Sequence, residues 1–540
     1  MRAASGAWVV LACLSAPAPA WACGGFFCGA TQPVVQSGEQ IVYAIEDDGS
    51  LVMSVRINYQ GTAPDFAWLL PVPVVPAIEL GTTAFFDTLE RSTVPQFTAI
   101  SRVEGACAPA PSCPYADTFV FSADAGSAVD GSAPPTIYLE ENLGPYEIVV
   151  IGGTTGGDVY AWLSAHGYAL PPSATPLLDA YLALHDVFVA LRLRTDASTS
   201  EIQPITLRMV ATQACLPIRL TSIATSPDLP ITAFFLATGR VVSSNFSMLD
   251  ATWDEPGLYT HSVSYASWVT RAVLAQGGHA FATDYAGTTP TISITLPSVL
   301  DLASERDPHT LLLALSSRGY RGDPQLLALL TRFVVPPAGS TPRAYFNCLF
   351  GAFGSCGTPT TYDPAGLVAA IDQTITQPRA HAQRLAASRP YTTRLFTTMS
   401  ADAMTLDPEF RVDALLSPVT NVHAATFVAM CDSAHWDFEA ATRVEFPDGT
   451  STTLPVQPHG TIDDYCLHRY GIGTGRDAGA VEVPGVFDVM LPDGGPRSTP
   501  VPASGCGCTL GSARGSYAPM LAALIALARM RRRARRALLR

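Results

Sequence analysis

The sequence predicts an α+β fold, and three patterns carry that prediction. Two strand-like runs flank an Asp-Asp-Gly turn at residues 47–49, which indicates a β-hairpin. Leucines recur at helical spacing through residues 299–333, which indicates helices in the middle of the chain. Strand-like runs return after residue 420, with a second hairpin turn at residues 447–449. We therefore expect a strand-rich N-terminal domain, a helical middle section, a small β-rich C-terminal module and a single C-terminal membrane helix.

Shorter patterns place the remaining elements in order. Apolar runs bounded by turn residues predict strands at 40–45, 50–59, 146–151, 188–194, 205–209, 231–237, 291–296, 444–446 and 450–454. Apolar residues at helical spacing predict helices at 79–92, 159–166, 173–184 and 264–276, and a helical section that continues to about residue 405. Residues 105–136 are small, polar and proline-rich, which predicts a surface loop.

A glycine-rich turn at residues 152–158 joins a predicted strand to a predicted helix. Backbone amides at the start of a helix can hold a phosphate group. The spacing matches neither a dinucleotide-binding motif nor a Walker motif, and we interpret the segment as an ordinary turn. Thr155 or Asp158 is then expected to cap the helix.

These patterns divide the chain into six parts. They are a signal peptide at 1–22, a mixed α+β domain at 23–300, a mainly helical section at 301–410, a small β-rich module at 411–492, a flexible linker at 493–505 and a sorting tail at 506–540.

The composition excludes several classes of function. All 32 basic residues are arginine, so the P-loop lysine, Schiff-base catalysis and pyridoxal-phosphate chemistry are excluded. Residues 23–505 hold 23 arginines against all 46 acidic residues, a net charge of −23 compared with −14 for the whole chain. A body this acidic repels phosphate backbones, so no nucleic-acid partner is expected.

The N-terminus has the pattern of a secretory signal peptide. Arg2 gives a positive start, residues 7–14 are apolar, and small residues precede a cleavage site after Ala22. Export is therefore expected. An alternative is a lipoprotein signal, in which Cys23 becomes the lipidated first residue of the mature protein.

The C-terminus has the pattern of a membrane anchor. Residues 517–528 are apolar and precede seven arginines, which is typical of a positive-inside membrane stop. The segment resembles the MYXO-CTERM sorting tail of myxobacterial surface proteins, and this resemblance implies a sorting or processing protease and a cell-envelope location. The motif residues are Gly505, Cys506, Gly507 and Cys508, and the anchor residues are Tyr517, Leu521, Leu524, Ile525 and Leu527. An amphipathic surface helix remains the alternative.

The cysteines fit an oxidising compartment. Four pairs lie close in sequence and are expected to form local disulfides: Cys23 with Cys28, Cys107 with Cys113, Cys348 with Cys356, and Cys431 with Cys466. Cys215 is left over, and the sequence leaves open whether it pairs with Cys28, if Cys23 is lipidated, or remains a buried thiol. No spacing typical of a zinc site occurs, so neither a metal nor another cofactor is expected.

Candidate catalytic residues are few. The chain contains no GxSxG, HExxH or EF-hand motif. His468 lies near Asp463 and Asp464, and a Cys431–Cys466 disulfide would bring them toward His435 as a small acid–base or metal cluster. A polar surface beside a disulfide is the alternative interpretation. Residues 399–408 are either a ligand loop or a helix start capped by Ser400.

Several segments together resemble the bacterial family called domain of unknown function 2330. They are residues 23–28, 66–73, 146–151, 161–171, 188–194, 217–224 and 394–410. The resemblance covers about residues 23 to 410 and implies an exported, envelope-facing protein. It supplies no activity and no site residues.

We therefore expect an exported protein anchored in the cell envelope that acts as a non-catalytic binding or structural surface module, with an unknown surface ligand. One alternative is an envelope hydrolase with a site near Asp463, Asp464 and His468. Another is a lipoprotein anchored at Cys23.

Overall fold

A computed structural model describes the protein at residues 26–27, 35–45, 50–60, 67–107, 136–168, 170–194, 201–210, 213–250, 252–351, 356–432 and 440–454. These residues belong to one compact unit.

The strands, numbered in chain order, are β1 (Phe26–Phe27), β2 (Val35–Ile45), β3 (Ser50–Gln60), β4 (Ala67–Val72), β5 (Ala77–Leu80), β6 (Gln96–Ala106), β7 (Thr136–Leu143), β8 (Tyr146–Gly152), β9 (Val187–Leu193), β10 (Ile205–Val210), β11 (Ala214–Cys215), β12 (Leu229–Ala237), β13 (Val241–Ser243), β14 (Ser247–Met248), β15 (Ala280–Thr288), β16 (Val334–Val335), β17 (Thr361–Tyr362), β18 (Tyr391–Met399), β19 (Glu409–Val412), β20 (Val422–Asp432), β21 (Ala441–Glu445) and β22 (Ser451–Leu454). The α-helices are α1 (Thr83–Thr93), α2 (Gly156–Ala165), α3 (Thr175–Leu182), α4 (Pro256–Tyr259), α5 (Tyr265–Ala275), α6 (Pro308–Ser317), α7 (Leu326–Phe333), α8 (Pro342–Leu349), α9 (Pro364–Ile371) and α10 (Gln377–Ala387).

Two sheets form the centre of the fold. The larger has eight strands in the order β14-β15-β18-β12-β2-β3-β10-β5, and the smaller has five in the order β1-β4-β9-β8-β7. The predicted hairpin is confirmed, because β2 and β3 pair antiparallel with Ile45 opposite Leu51. In the larger sheet β12 is parallel to β2 and antiparallel to β18.

The sheets pack face to face and helices cover both outer faces, which gives four layers. Side chains such as Tyr43 and Val150 form one core between the two sheets. Helices α2 and α3 cover the smaller sheet, with Trp162 in that core. Helices α1, α10 and α5 cover the larger sheet, with Phe86 and Val269 in their cores. The α+β prediction is therefore confirmed.

A helical subdomain and a small sheet extend this core. Helices α6 to α9 share a separate apolar cluster that includes Leu312 and Phe346. The small sheet has the order β22-β21-β20-β6. It contains the predicted hairpin β21–β22, but β6 comes from the predicted N-terminal domain and runs parallel to β20. The C-terminal module is therefore built from two distant parts of the chain.

Two local predictions are wrong. Residues 291–296 alternate like a strand, yet the amides of Ile294 and Thr295 donate to Gln383 Oε1 at 3.0 and 3.2 Å. The alternation arises because Ile292 and Ile294 pack on α10. The section expected to be helical up to residue 405 contains β18, whose residues are buried along almost its whole length and so show no simple alternation.

The helix predicted at 79–92 is corrected at its start, because residues 77–80 form the edge strand β5 and α1 begins at Thr83.

The single membrane helix expected at 517–528 lies outside the described residues. Within the part of the chain that the structure describes, no helix has the length and hydrophobicity needed to cross a bilayer.

Candidate functional site

A cleft of about 640 Å³ opens between the edge of the larger sheet and helix α10. This volume lies within the range of about 300–1,000 Å³ that is usual for small-molecule sites. Its lining residues come from β5, β10, the end of β7 and the helix, and they are Ile78, Glu79, Leu80, Leu143, Arg208, Gln373, Gln377, Pro378, Ala380, His381 and Arg384. Most of the polar groups in this set are hydrogen-bond donors.

An irregular helical turn places two of these donors. Residues Asp372–Thr376 form a π-helical segment that joins α9 to α10. Pro378 follows it and lacks the N–H that an α-helix needs at this position. Gln373 and Gln377 lie one turn apart on the cleft wall. Single π-helical turns are rare and occur frequently at functional sites.

Arg208 lies on the strand wall of the cleft because of strand alternation. On β10, Ile205, Leu207 and Met209 enter the core between the sheets, so Arg208 projects from the opposite face. Its Nη1 donates to the Ser50 hydroxyl at 3.2 Å, which helps to hold the guanidinium group in place. The second arginine, Arg384, is exposed on α10.

His381 and Glu79 connect the two walls of the cleft. His381 Nδ1 lies 2.6 Å from Glu79 Oε2, so a strand side chain contacts a helix side chain across the opening. The Glu79 side chain is 49% exposed and is therefore open to solvent. The pair fixes the spacing between β5 and α10 at this point.

This arrangement suits recognition of an anion. Two guanidinium groups and the Gln373 amide can donate to carboxylate or phosphate oxygens, and arginine binds both groups bidentately. The Gln377 amide already donates to the Asp372 carboxylate at 2.6 Å. Only Glu79 adds a negative charge to the lining residues. The cleft is thus a cationic feature on a body whose net charge is −23.

A buried ionic cluster lies elsewhere under the helices and has a structural role. Arg394 on β18 contacts Asp284 at 3.0 Å and Glu90 of α1 at 2.8 Å. Tyr265 of α5 donates to Asp284. Burial raises the pKa of Asp284 to about 7. These contacts tie α1 and α5 to the larger sheet.

The segment at 399–408 is held by its own hydrogen bonds. Ser400 precedes the short 3-10 turn Ala401–Ala403, but its side chain makes no capping bond. Asp407 accepts from the Tyr181 hydroxyl at 3.1 Å and from the Arg219 amide at 3.0 Å. Burial raises the pKa of Asp407. Since these bonds join the loop to neighbouring elements, a packing role accounts for Asp407.

The glycine-rich turn at 152–158 is an ordinary capped turn, as the sequence indicated. The Thr155 hydroxyl accepts from the Asp158 amide at 3.2 Å. The amide of Gly156 donates to Asp179 of α3 at 2.5 Å, so a carboxylate of the protein already occupies this helix start. A side chain at position 156 would collide with the Thr175 carbonyl, which explains the glycine.

Three of the four disulfide expectations are resolved by the structure. Cys348 pairs with Cys356 as expected. Cys107 and Cys431 pair with each other, across 324 residues, and not with Cys113 and Cys466. Cys107 and Cys431 bond to each other, and not to the cysteines nearest to them in sequence, because the parallel strands β6 and β20 lie side by side and end together.

Cys215 is exposed and is a free thiol among the described residues. The bond between Cys107 and Cys431 also removes the Cys431–Cys466 link on which the cluster of His435 and His468 depended. No group of side chains suited to holding a metal ion occurs within the described ranges.

The remaining predicted site residues lie outside the described residues. They are the cleavage residue Ala22, the cysteines Cys23, Cys28, Cys113 and Cys466, the candidate acid–base residues His435, Asp463, Asp464 and His468, the motif Gly505, Cys506, Gly507 and Cys508, and the anchor residues Tyr517, Leu521, Leu524, Ile525 and Leu527.

Sequence reasoning missed the cleft, although one signal was present. Gln373, Gln377, His381 and Arg384 are spaced by four, four and three residues, which places polar groups along one face of a helix. The opposite wall of the cleft was not predictable from the sequence. Its strands β5 and β10 are far apart in the chain and are joined by antiparallel pairing in the sheet, with Ile205 opposite Leu80.

Comparison with known proteins identifies one family. The family model described as "Uncharacterized protein conserved in bacteria (DUF2330)" matches residues 17–321, more than half of the chain. No curated protein and no solved structure matches the chain.

Proposed function

This chain belongs to the bacterial DUF2330 family, and from that premise we propose that it is an exported, envelope-anchored binding module. Its ligand is an anion that carries carboxylate or phosphate groups, and its binding site is the cleft between β5, β10 and α10. The observation that carries the proposal is the pair of arginines, Arg208 and Arg384, on opposite walls of a cleft of ligand size.

Electrostatics support a selective site. The acidic body repels anions at long range, while the local arginines attract them at short range. A ligand therefore has to reach the guanidinium groups and match their geometry to bind. Weak, non-specific adhesion of anions to the rest of the surface is disfavoured.

The address signals in the sequence support the location. Cleavage after Ala22 would release the mature chain outside the cytoplasm. The tail at 506–540 would reach the membrane through its apolar segment, after recognition by a sorting or processing protease. The Cys107–Cys431 and Cys348–Cys356 disulfides suit an oxidising compartment. A nucleic-acid partner is not part of the proposal.

Two earlier alternatives stay predictions. The hydrolase alternative depends on Asp463, Asp464 and His468, and the lipoprotein alternative depends on Cys23. Mass spectrometry of the mature N-terminus separates the lipoprotein from the tail-anchored protein, because lipidation adds acyl mass to Cys23. Recovery of the mature body in the soluble cytoplasmic fraction would contradict both forms of anchoring.

A thermal-shift screen tests the binding role. We expect inorganic phosphate or citrate to raise the unfolding temperature of the wild-type protein, since a ligand that binds only the folded state stabilises it. The shift should shrink in Arg384→Gln and persist in Arg271→Gln, an exposed arginine on α5. Equal shifts in both variants would show that the anions act away from the cleft.

A further inference from the structure

The cleft beside α10 contains a free edge of the larger sheet. Strand β5 is the last strand in the order of that sheet and pairs on one side only, with β10. On one side of β5, Leu143 at the end of β7 packs on the core between the two sheets. On the other side, α10 covers the outer face of the larger sheet. Because both Leu143 and α10 line the cleft, the free edge of β5 lies between its walls.

The hydrogen-bond pattern of β5 shows which backbone groups face this opening. The Gly81 amide donates to the Pro204 carbonyl at 2.7 Å, which makes these two residues a hydrogen-bonded pair. Such pairs recur at every second residue of an antiparallel ladder, so the next one on β5 is at Glu79. The N–H and C=O groups of Ile78 and Leu80 therefore point away from β10, toward the free edge. Among the described residues, no hydrogen bond to these edge-facing groups occurs.

The two faces of β5 present different side chains to the cleft. Ile78 and Leu80 point to the core side, where Leu143 also lies. Arg208 projects from the outer face, and Arg384 belongs to the helix that covers this face. A strand that enters the cleft beside β5 therefore has apolar side chains on one face and guanidinium groups on the other.

An extended peptide matches both the free edge and the two faces. Its backbone can pair with the edge-facing groups of β5, as in other peptides that add a strand to a sheet. Its side chains alternate between the two faces, so apolar residues should alternate with polar ones. Two guanidinium groups outnumber the Glu79 carboxylate on the outer face, and this face therefore favours acidic side chains over basic ones.

We propose that the cleft binds an extended peptide as an added antiparallel strand on β5. The apolar side chains of the peptide lie toward Leu143, and its carboxylates lie toward Arg208 and Arg384. Antiparallel pairing is the more stable arrangement per residue. This inference rests on the proposed function, because it assigns a class of ligand to the same anion site. The partner is then an acidic, strand-forming segment of another protein.

Calorimetric titration of the full-length protein with short peptides tests the inference. The probe is Ac-Val-Glu-Val-Glu-Val-NH2, whose caps remove the terminal charges. The comparisons replace both glutamates by glutamine or by arginine. We expect the glutamate peptide to bind about tenfold more tightly than the glutamine peptide, because hydrogen bonds between charged groups are stronger than neutral ones. The arginine peptide should not bind.

Methylation of the peptide backbone separates strand pairing from simple anion binding. In the proposed arrangement the central valine lies opposite Ile78 or Leu80 and directs its N–H toward β5, whereas the N–H of each glutamate points away. N-methylation of the central valine should therefore weaken binding by about tenfold or more. N-methylation of the first glutamate should leave the affinity unchanged. The two methylated peptides have the same composition and charge, so the second is the matched control.

Variants of the protein locate the site. Ile78→Pro removes an edge-facing N–H that takes no part in the ladder with β10, and it should weaken peptide binding by about tenfold. Ile78→Val keeps this N–H and should bind the peptide more tightly than Ile78→Pro does. Arg384→Gln should remove most of the preference for glutamate over glutamine. The methylated peptides probe the same hydrogen bonds and do not depend on the folding of any variant.

Citrate titration of the wild-type protein distinguishes two kinds of failure. If citrate binds and the glutamate peptide does not, the peptide inference is overturned while the anion site stands. If neither binds, the proposed function fails as well. Equal affinity for the two methylated peptides, stronger weakening by the methyl group on glutamate than by that on valine, or equal affinity for the glutamate and glutamine peptides would also overturn the inference.

Discussion

Arg394 is 3% exposed in the larger sheet, and its guanidinium group lies between the carboxylates of Asp284 and Glu90. Asp284 has no exposed surface at all. Removing one member of such a group leaves the other charge buried without compensation, which costs far more than an exposed ion pair gains. Loss of any one charged side chain of this cluster is therefore expected to destabilise the folded protein.

We expect Arg394→Leu to reduce the free energy of unfolding by about 3–5 kcal/mol, because Asp284 and Glu90 both lose their cation and the buried Asp284 carboxyl must then either stay charged without compensation or take up a proton. Urea denaturation measures the change. The double variant Arg394→Leu with Asp284→Asn should recover part of the loss, since no carboxylate remains unpaired at that position. A single variant as stable as the wild type would contradict this role.

His423 makes the stability of the folded protein depend on pH. Its imidazole is 4% exposed and stacks on Phe97 and Trp253, and burial lowers its pKa to about 4. The unfolded chain has a histidine pKa near 6.5 and so binds a proton first. The contribution of His423 to stability is therefore complete above about pH 6.5 and falls as the pH drops toward about 4.

We expect His423→Phe to lose less stability than the wild type between pH 7 and pH 4.5. Unfolding free energies from urea titrations at both pH values measure the difference. Other groups titrate in both proteins, so the comparison isolates His423. Identical losses in the two proteins would show that the imidazole is protonated equally in both states.

At the scale of elements, caps and crosslinks decide where local structure begins and ends. Thr155 caps α2, and its hydroxyl and that of Thr154 both donate to the Asp158 carboxylate. These hydrogen bonds lower the pKa of Asp158. The sequence had likewise favoured an ordinary capped turn here over a phosphate-binding loop.

We expect Thr155→Ala to destabilise the protein by about 1 kcal/mol, because an orphan amide of the first helical turn loses its acceptor. Thr155→Ser keeps the hydroxyl and is the matched control. Both are compared by urea denaturation. Equal stability of the alanine and serine variants would contradict the capping role.

The crosslink between β6 and β20 makes a second prediction. Digestion without reduction should yield one peptide pair containing Cys107 and Cys431 and another containing Cys348 and Cys356. In the double variant Cys107→Ser with Cys431→Ser, hydrogen exchange should rise in β6, an exposed edge strand that this disulfide secures. A Cys107–Cys113 peptide would contradict the observed pairing.

Features that depend on residues close together in the chain were predictable from the sequence. Examples are the hairpin β2–β3 and the capped helix α2. Three features were not: the parallel pairing of β6 with β20, the entry of β18 into the larger sheet, and the Cys107–Cys431 bond. Each joins residues far apart in the chain, and local patterns carry no information about such partners. The cleft beside α10 was not predictable for the same reason, because its walls also come from distant parts of the chain.

At the scale of the whole molecule, the described residues form a four-layer sandwich with a helical subdomain and a small four-stranded sheet. The cleft beside α10 lies at the edge of the larger sheet and holds Arg208, Arg384 and His381, so it is a cationic feature on an acidic body.

Calorimetric titration with citrate tests the central claim most directly. The wild-type protein should bind citrate in one site, with an affinity that weakens as salt rises, because the contact is between charges. Arg384→Gln should weaken binding by about tenfold or more, since a hydrogen bond between charged groups is worth about 1.5–3 kcal/mol, while Arg271→Gln should bind as the wild type does. Undetectable binding to the wild type, or the same affinity in Arg384→Gln and Arg271→Gln, would contradict the account.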